Sequence, residues 1–140
     1  MATVKGTNKT LIDAKGSGGN VVPRGEFAGT LKCCYDTYTF TADASGEVVE
    51  VATPPKGSKI MGVQLTFANL GTGCTLAVGD INTTALYIAA TSAAAAGSTQ
   101  INTVDGIGYV IGTTPGDDEI LVTVAGSAVD GIIETLIYYV

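Results

Sequence analysis

Apolar and polar residues alternate most cleanly in the middle of the chain. Between Lys59 and Ala68, Met61, Val63, Leu65 and Phe67 alternate with Gly62, Gln64, Thr66 and Ala68. A period of two over that length is the pattern of a half-buried strand. The same period recurs on both sides. Leu31 to Ala42 carries Cys34, Tyr38 and Phe40 on one parity, and Glu47 to Thr53 carries Val49 and Val51. Cys74 to Val78 turns Cys74, Leu76 and Val78 one way, and Glu119 to Ala125 does so with Ile120, Val122 and Val124. Two further strands are predicted, from Gln100 to Val104 running on to Tyr109-Val110-Ile111, and from Ile132 to Val140. Turn residues separate them: Asp43-Ala44-Ser45-Gly46, Pro54-Pro55-Lys56-Gly57, Asn69-Leu70-Gly71-Thr72-Gly73, Pro115-Gly116 and Gly126.

One segment breaks the period. Leu86 to Ala96 ends in a run of alanines before Gly97, which favours one short helix with Gly97 as its C-terminal cap. Seven or eight short strands with glycine-rich turns predict an all-β fold, an antiparallel β-sandwich or jelly roll with at most that one helix. No fixed-period repeat points to a solenoid or propeller.

The first thirty residues fit neither period. They hold scattered apolar residues and the weak run Gly16-Ser17-Gly18-Gly19, too little to offset their own ordering. The chain therefore divides into an extended N-terminal arm, residues 1–30, and a sandwich domain, residues 31–140. Leu11, Ile12, Val21, Val22 and Phe27 are the expected anchors if the arm docks on a neighbouring subunit. At the other end, Tyr138 and Tyr139 would lie on opposite faces of the last strand, and one of them is expected at a subunit contact.

Composition changes this picture in two ways. Only 14% of the 140 residues are charged, against about 25% in ordinary soluble domains. A surface so short of charge suits a protein that is partly covered by neighbours. The formal charge is −6, and the seven basic residues all precede residue 60 without forming a run. Phosphate recognition needs clustered Lys and Arg, so no direct nucleic-acid binding is expected. No apolar stretch is long enough to span a membrane, and no basic-then-apolar leader opens the sequence.

Candidate chemistry is sparse. Histidine and tryptophan are absent, which removes the commonest general base and the best aromatic platform. The odd number of cysteines, with Cys33 and Cys34 adjacent, argues for thiols made in a reducing cytoplasm and against a disulfide framework or a zinc site. Lys15-Gly16-Ser17-Gly18-Gly19 lacks the strand and the Gly-Lys-Ser/Thr of a phosphate loop. Asp117-Asp118-Glu119 lacks the spaced oxygens of a calcium loop and reads as a solvated turn. Catalytic residues, cofactors and metals are therefore all expected to be none, and the chain reads as a non-enzyme.

Several segments carry a resemblance. They are Gly6-Thr7-Asn8-Lys9-Thr10-Leu11-Ile12, Gly25-Glu26-Phe27-Ala28-Gly29-Thr30-Leu31 leading to Tyr35-Asp36-Thr37-Tyr38, and Pro55-Lys56-Gly57-Ser58-Lys59-Ile60-Met61. To these are added Leu70-Gly71-Thr72-Gly73-Cys74-Thr75-Leu76-Ala77-Val78-Gly79-Asp80 and Tyr87-Ile88-Ala89-Ala90-Thr91. In this order they resemble the head decoration, or capsid cement, proteins of tailed bacteriophages. The chain departs from that pattern after Asp80, where Ile81-Asn82-Thr83-Thr84 replaces a more charged loop. The resemblance implies a small β-sandwich, dimeric or trimeric, on the outer surface of the virion head, and the protein is expected to be synthesised in the host cytoplasm. It implies the major capsid protein and further copies of the chain as partners, and bridging of capsid subunits as the task. A head-fibre or tail-fibre module that binds a host receptor or glycan is the alternative with the same composition.

Overall fold

The computed structural model describes residues 31–140; the expected arm, with Leu11, Ile12, Val21, Val22 and Phe27, lies outside the described residues. Eight strands follow one another: β1 (Lys32–Asp43), β2 (Val48–Ala52), β3 (Ile60–Phe67), β4 (Thr75–Gly79), β5 (Ile88–Ser92), β6 (Gly97–Gln100), β7 (Ile120–Ala125) and β8 (Val129–Tyr139). They form two four-stranded sheets, ordered β1-β8-β3-β6 and β2-β7-β4-β5. Every pairing is antiparallel. The sheets face each other as a β-sandwich, with β1 touching β2 and β5 touching β6 at the two lateral edges.

The alternating positions explain the core. Cys34 and Phe40 of β1, Val63, Leu65 and Phe67 of β3, and Ile133, Ile137 and Tyr139 of β8 line the inside of the first sheet. Val49 and Val51 of β2, Leu76 and Val78 of β4, and Ile120, Val122 and Val124 of β7 answer from the second. A fully buried side chain of this kind contributes about 1.5–3 kcal/mol by leaving water. Two positions escape the simple period. A register shift between Ile60 and Gly62 turns Ile60 inward and leaves Met61 exposed. Tyr38 shares parity with Phe40 but lies exposed, its ring edge-on to Phe40 at 4.9 Å.

The predicted helix does not form, and the described residues contain no helix. Residues 88–92 are β5, and Gly97 opens β6 instead of capping a helix. Burial decides the outcome. Tyr87, Ile88 and Ala93 are fully buried, and the Ala93 amide donates to Cys74 while its carbonyl accepts from Leu70. Those tertiary contacts outweigh the few tenths of a kcal/mol per alanine that favour helix. The strand predicted from residue 100 to residue 111 is also corrected. The chain leaves the sheet after Gln100, and only Val110 returns, in a single bridge to Lys59.

The two ends of the sandwich differ. At one end short turns meet: the Leu70 amide donates to Ala93, Asp130 to Leu70, and Gly46 to Val124. Gly126 sits there with φ 91°, and a Cβ on it would run into the carbonyl oxygen of Gly73. Gly126→Ala is therefore expected to lose about 1–2 kcal/mol from the backbone conformation alone, and more from the collision. A chemical-denaturation midpoint equal to the parent's would show that the turn can move aside. The opposite end gathers the long loops at residues 53–59, 80–87 and 101–119, together with Leu31 and Val140. There the Gly57 amide donates to Ile111, Asn102 to Tyr87, and Lys59 exchanges bonds with Val140.

Candidate interaction surfaces

The longest loop owes its shape to Asp117. Its carboxylate is buried and accepts from five donors. One oxygen takes the Gly112 amide at 2.8 Å; the other takes the Thr113 and Thr114 amides, each at 3.0 Å. The Tyr109 and Thr113 hydroxyls donate to that second oxygen at 3.0 and 3.2 Å. Burial alone would raise this carboxyl's pKa, but the donated bonds outweigh it and hold the pKa below its ordinary 3.8. Asp117 is thus no solvated turn residue, as its sequence context suggests, but the hub of the loop.

Neighbouring groups extend this order. Asp80, also buried, accepts from the amides of Asn82 and Thr83 and so closes the loop after β4. Asn82 reaches across to the Pro115 carbonyl at 3.0 Å, tying that loop to the longest one. Thr103 donates to the Leu86 carbonyl, and Tyr87 packs edge-on against Tyr109. Burial, then Asp80, Tyr109 and Asp117, push the Tyr87 phenol well above its usual range.

A framework this well tied presents apolar side chains outward. Val104 is 90% exposed, Ile81 69% and Ile107 57%, with Val110 and Leu31 also exposed at this end. The sequence pattern, which predicts a strand from Gln100 to Val104 running on to Tyr109-Val110-Ile111, does not reveal this feature. The glycine and aspartate in Asp105-Gly106-Ile107-Gly108 were the available sign of a loop.

The outer face of the β1-β8-β3-β6 sheet is a second surface. Tyr35, Ile132, Leu136 and Tyr138 stand on it among Thr37, Gln64 and Thr66, and Glu134 accepts a 3.2 Å bond from the Tyr35 hydroxyl. Tyr138 is half-buried over Gly62, where an added Cβ would meet its ring at 3.4 Å. Tyr139 points the other way, into the core, where it hydrogen-bonds with the Cys34 thiol and lies beneath Lys32 Nζ at 5.8 Å. Of the two C-terminal tyrosines, the outward one is therefore Tyr138.

The remaining features offer little chemistry. All three cysteines are buried, and burial raises each thiol's pKa, the reverse of what a nucleophile needs. Among the described residues no group of carboxylates and thiols is placed to hold a metal, and no helix is long and apolar enough to cross a membrane. Several grooves among the described residues are open. One of them, about 470 Å³, lies over β2 and β7 beside the loop after β4. Val48, Ile81 and Leu121 give it an apolar lining, with Glu50, Asp80 and Glu119 around them.

Solved structures similar to the chain over most of its length include chains from two phage capsids. A chain of the cyanophage Pam1 capsid asymmetric unit matches with a TM-score of 0.70 and 26% identity, covering 89% of this chain and 94% of that one. A chain of the capsid of Ralstonia phage GP4 matches with a TM-score of 0.61 and 23% identity, covering 91% and 93%. No protein-family model matches the sequence, and no curated protein does.

Proposed function

We propose that this chain is a non-enzymatic structural protein of a phage head, which binds the outside of the expanded capsid and stabilises it by bridging major capsid protein subunits. The observation that carries the reading is the likeness to a chain of the Pam1 capsid asymmetric unit at 26% identity over nearly the whole of both chains. The strand order supports a jelly-roll reading, since eight antiparallel strands in two Greek keys make that architecture. A rigid body and an outward apolar rim are what a clamp between subunits requires.

In this reading the long-loop end meets the shell. β1, which follows residues 1–30 in the chain, begins at that same end, and Leu11, Ile12, Val21, Val22 and Phe27 are the proposed anchors of that segment. Linking several weak contacts in one oligomer would raise avidity by roughly 10²–10⁴. Mixing the protein with expanded capsids stripped of small accessory proteins, and with unexpanded precursor shells, tests the proposal by co-sedimentation. Stoichiometric binding to the expanded shells alone is expected, and removing residues 1–20 should weaken it. Binding to neither shell would overturn the reading and leave a head-fibre or tail-fibre module, binding receptor or glycan, as the better one.

Self-association is assigned to the outer face of the β1-β8-β3-β6 sheet, where Tyr138 and Ile132 stand and Glu134 is already bonded to Tyr35. Tyr138→Ser combined with Ile132→Lys is expected to convert the dimer or trimer to monomer in sedimentation velocity. An unchanged sedimentation coefficient would move the contact elsewhere.

A further inference from the structure

The charge of the chain is divided unevenly. Residues 31–140 hold three basic and eleven acidic side chains, a formal charge of −8, whereas residues 1–30 hold four basic and two acidic ones, a charge of +2. The groove over β2 and β7 has the matching chemistry. Val48, Ile81 and Leu121 offer an apolar lining, and the exposed Glu50 and Glu119 add negative charge beside it, with the buried Asp80 already bonded to its own loop. In residues 1–30 apolar pairs sit beside cations: Leu11-Ile12 between Lys9 and Lys15, and Val21-Val22 before Arg24.

We infer that this groove is the docking site for residues 9–24 of the same chain, with an apolar pair against Val48, Ile81 and Leu121 and lysines facing Glu50 and Glu119. Geometry permits it. Leu31 stands at the long-loop end, where Asp80, Ile81 and Glu119 also lie. The residues from Lys15 to Leu31 span up to about 50 Å when extended, several times the roughly 10 Å between packed sheets. A tether of this length holds the segment at an effective concentration in the millimolar range, which favours its own groove over that of another copy. Opposite charges near a surface attract within a Debye length, so salt weakens the docking. The inference stands apart from the shell-binding proposal, because it concerns the free protein.

The test uses the full chain without any shell. A zero-length carbodiimide coupler is applied to an equal mixture of light and ¹⁵N-labelled protein, unfolded and refolded together so that any oligomers contain both forms, and linked peptides are read by mass spectrometry. The expected result is linkage of Lys9 or Lys15 to Glu50 or Glu119 within unmixed chains, lost at high salt. Glu50→Lys with Glu119→Lys should abolish those links. Adding Lys9→Glu and Lys15→Glu should restore coupling between the same positions, which a mere folding defect would not allow. Isotopically mixed pairs among these links, in the proportion expected for random pairing of the two forms, would overturn docking within one chain. Links from these lysines only to other carboxylates, or none while Lys56 and Lys59 react, would overturn the groove as the site.

Discussion

Asp117→Ala is expected to lower stability by about 2–4 kcal/mol, toward the upper end for one substitution. The carboxylate is buried and holds three amides and two hydroxyls. Each buried donor left unpaired costs about 1–3 kcal/mol, although Gly112, Thr113 and Thr114 are exposed enough for water to replace part of the loss. For a domain of this size the melting temperature should fall by roughly 10 °C. Asp117→Asn keeps one acceptor and should lose about half as much.

The pH dependence separates charge from packing. Asp117 has its carboxyl pKa lowered in the fold, so its contribution is fully present above the ordinary value of 3.8 and is lost as pH falls through the folded value. Urea unfolding of parent and Asp117→Ala should therefore differ most near neutral pH, and the gap should shrink once pH drops below 3.8. A gap that stays constant down to strongly acid pH would show that the carboxylate's charge plays no part.

This residue also shows where sequence reading reaches its limit. The inward positions of β2, β4 and β7 follow a period of two, and Val49, Leu76 and Val122 were legible because burial imposes that period on any half-covered strand. The bulge at Met61 was not legible. A single extra residue reverses the face of one side chain without altering composition. The alanines near residue 93 misled for a different reason, since intrinsic propensity is weak beside the burial of Tyr87 and Ile88. Asp117 looked like one of three acids in a turn because its donors are mostly backbone amides, and these carry no sequence signature. The Tyr138 and Tyr139 faces were readable from parity alone, whereas the groove over β2 and β7 joins residues far apart in sequence and needed the topology.

If the chain binds the expanded shell as proposed, replacing Val104 and Ile107 with aspartate is expected to abolish that binding without disturbing the fold. Both side chains are largely exposed, and surface changes away from special features usually alter stability by about 0.5 kcal/mol or less. Contiguous exposed apolar patches are characteristic of interaction sites, and two large exposed apolar side chains three residues apart on one loop are the ones to test. Burying two such side chains against a partner contributes about 3 kcal/mol or more, which is more than a hundredfold in affinity for each copy. Introduced carboxylates would also have to be desolvated, so the loss should exceed that figure. Co-sedimentation with expanded capsids reads the effect, and Ala95→Asp, in the turn between β5 and β6 at the opposite end, serves as the control. Loss of binding by the loop variant alone would place the shell contact at the long-loop end. Equal loss in both would mean that added negative charge repels the shell wherever it sits, and binding retained by the loop variant would remove that end from the contact.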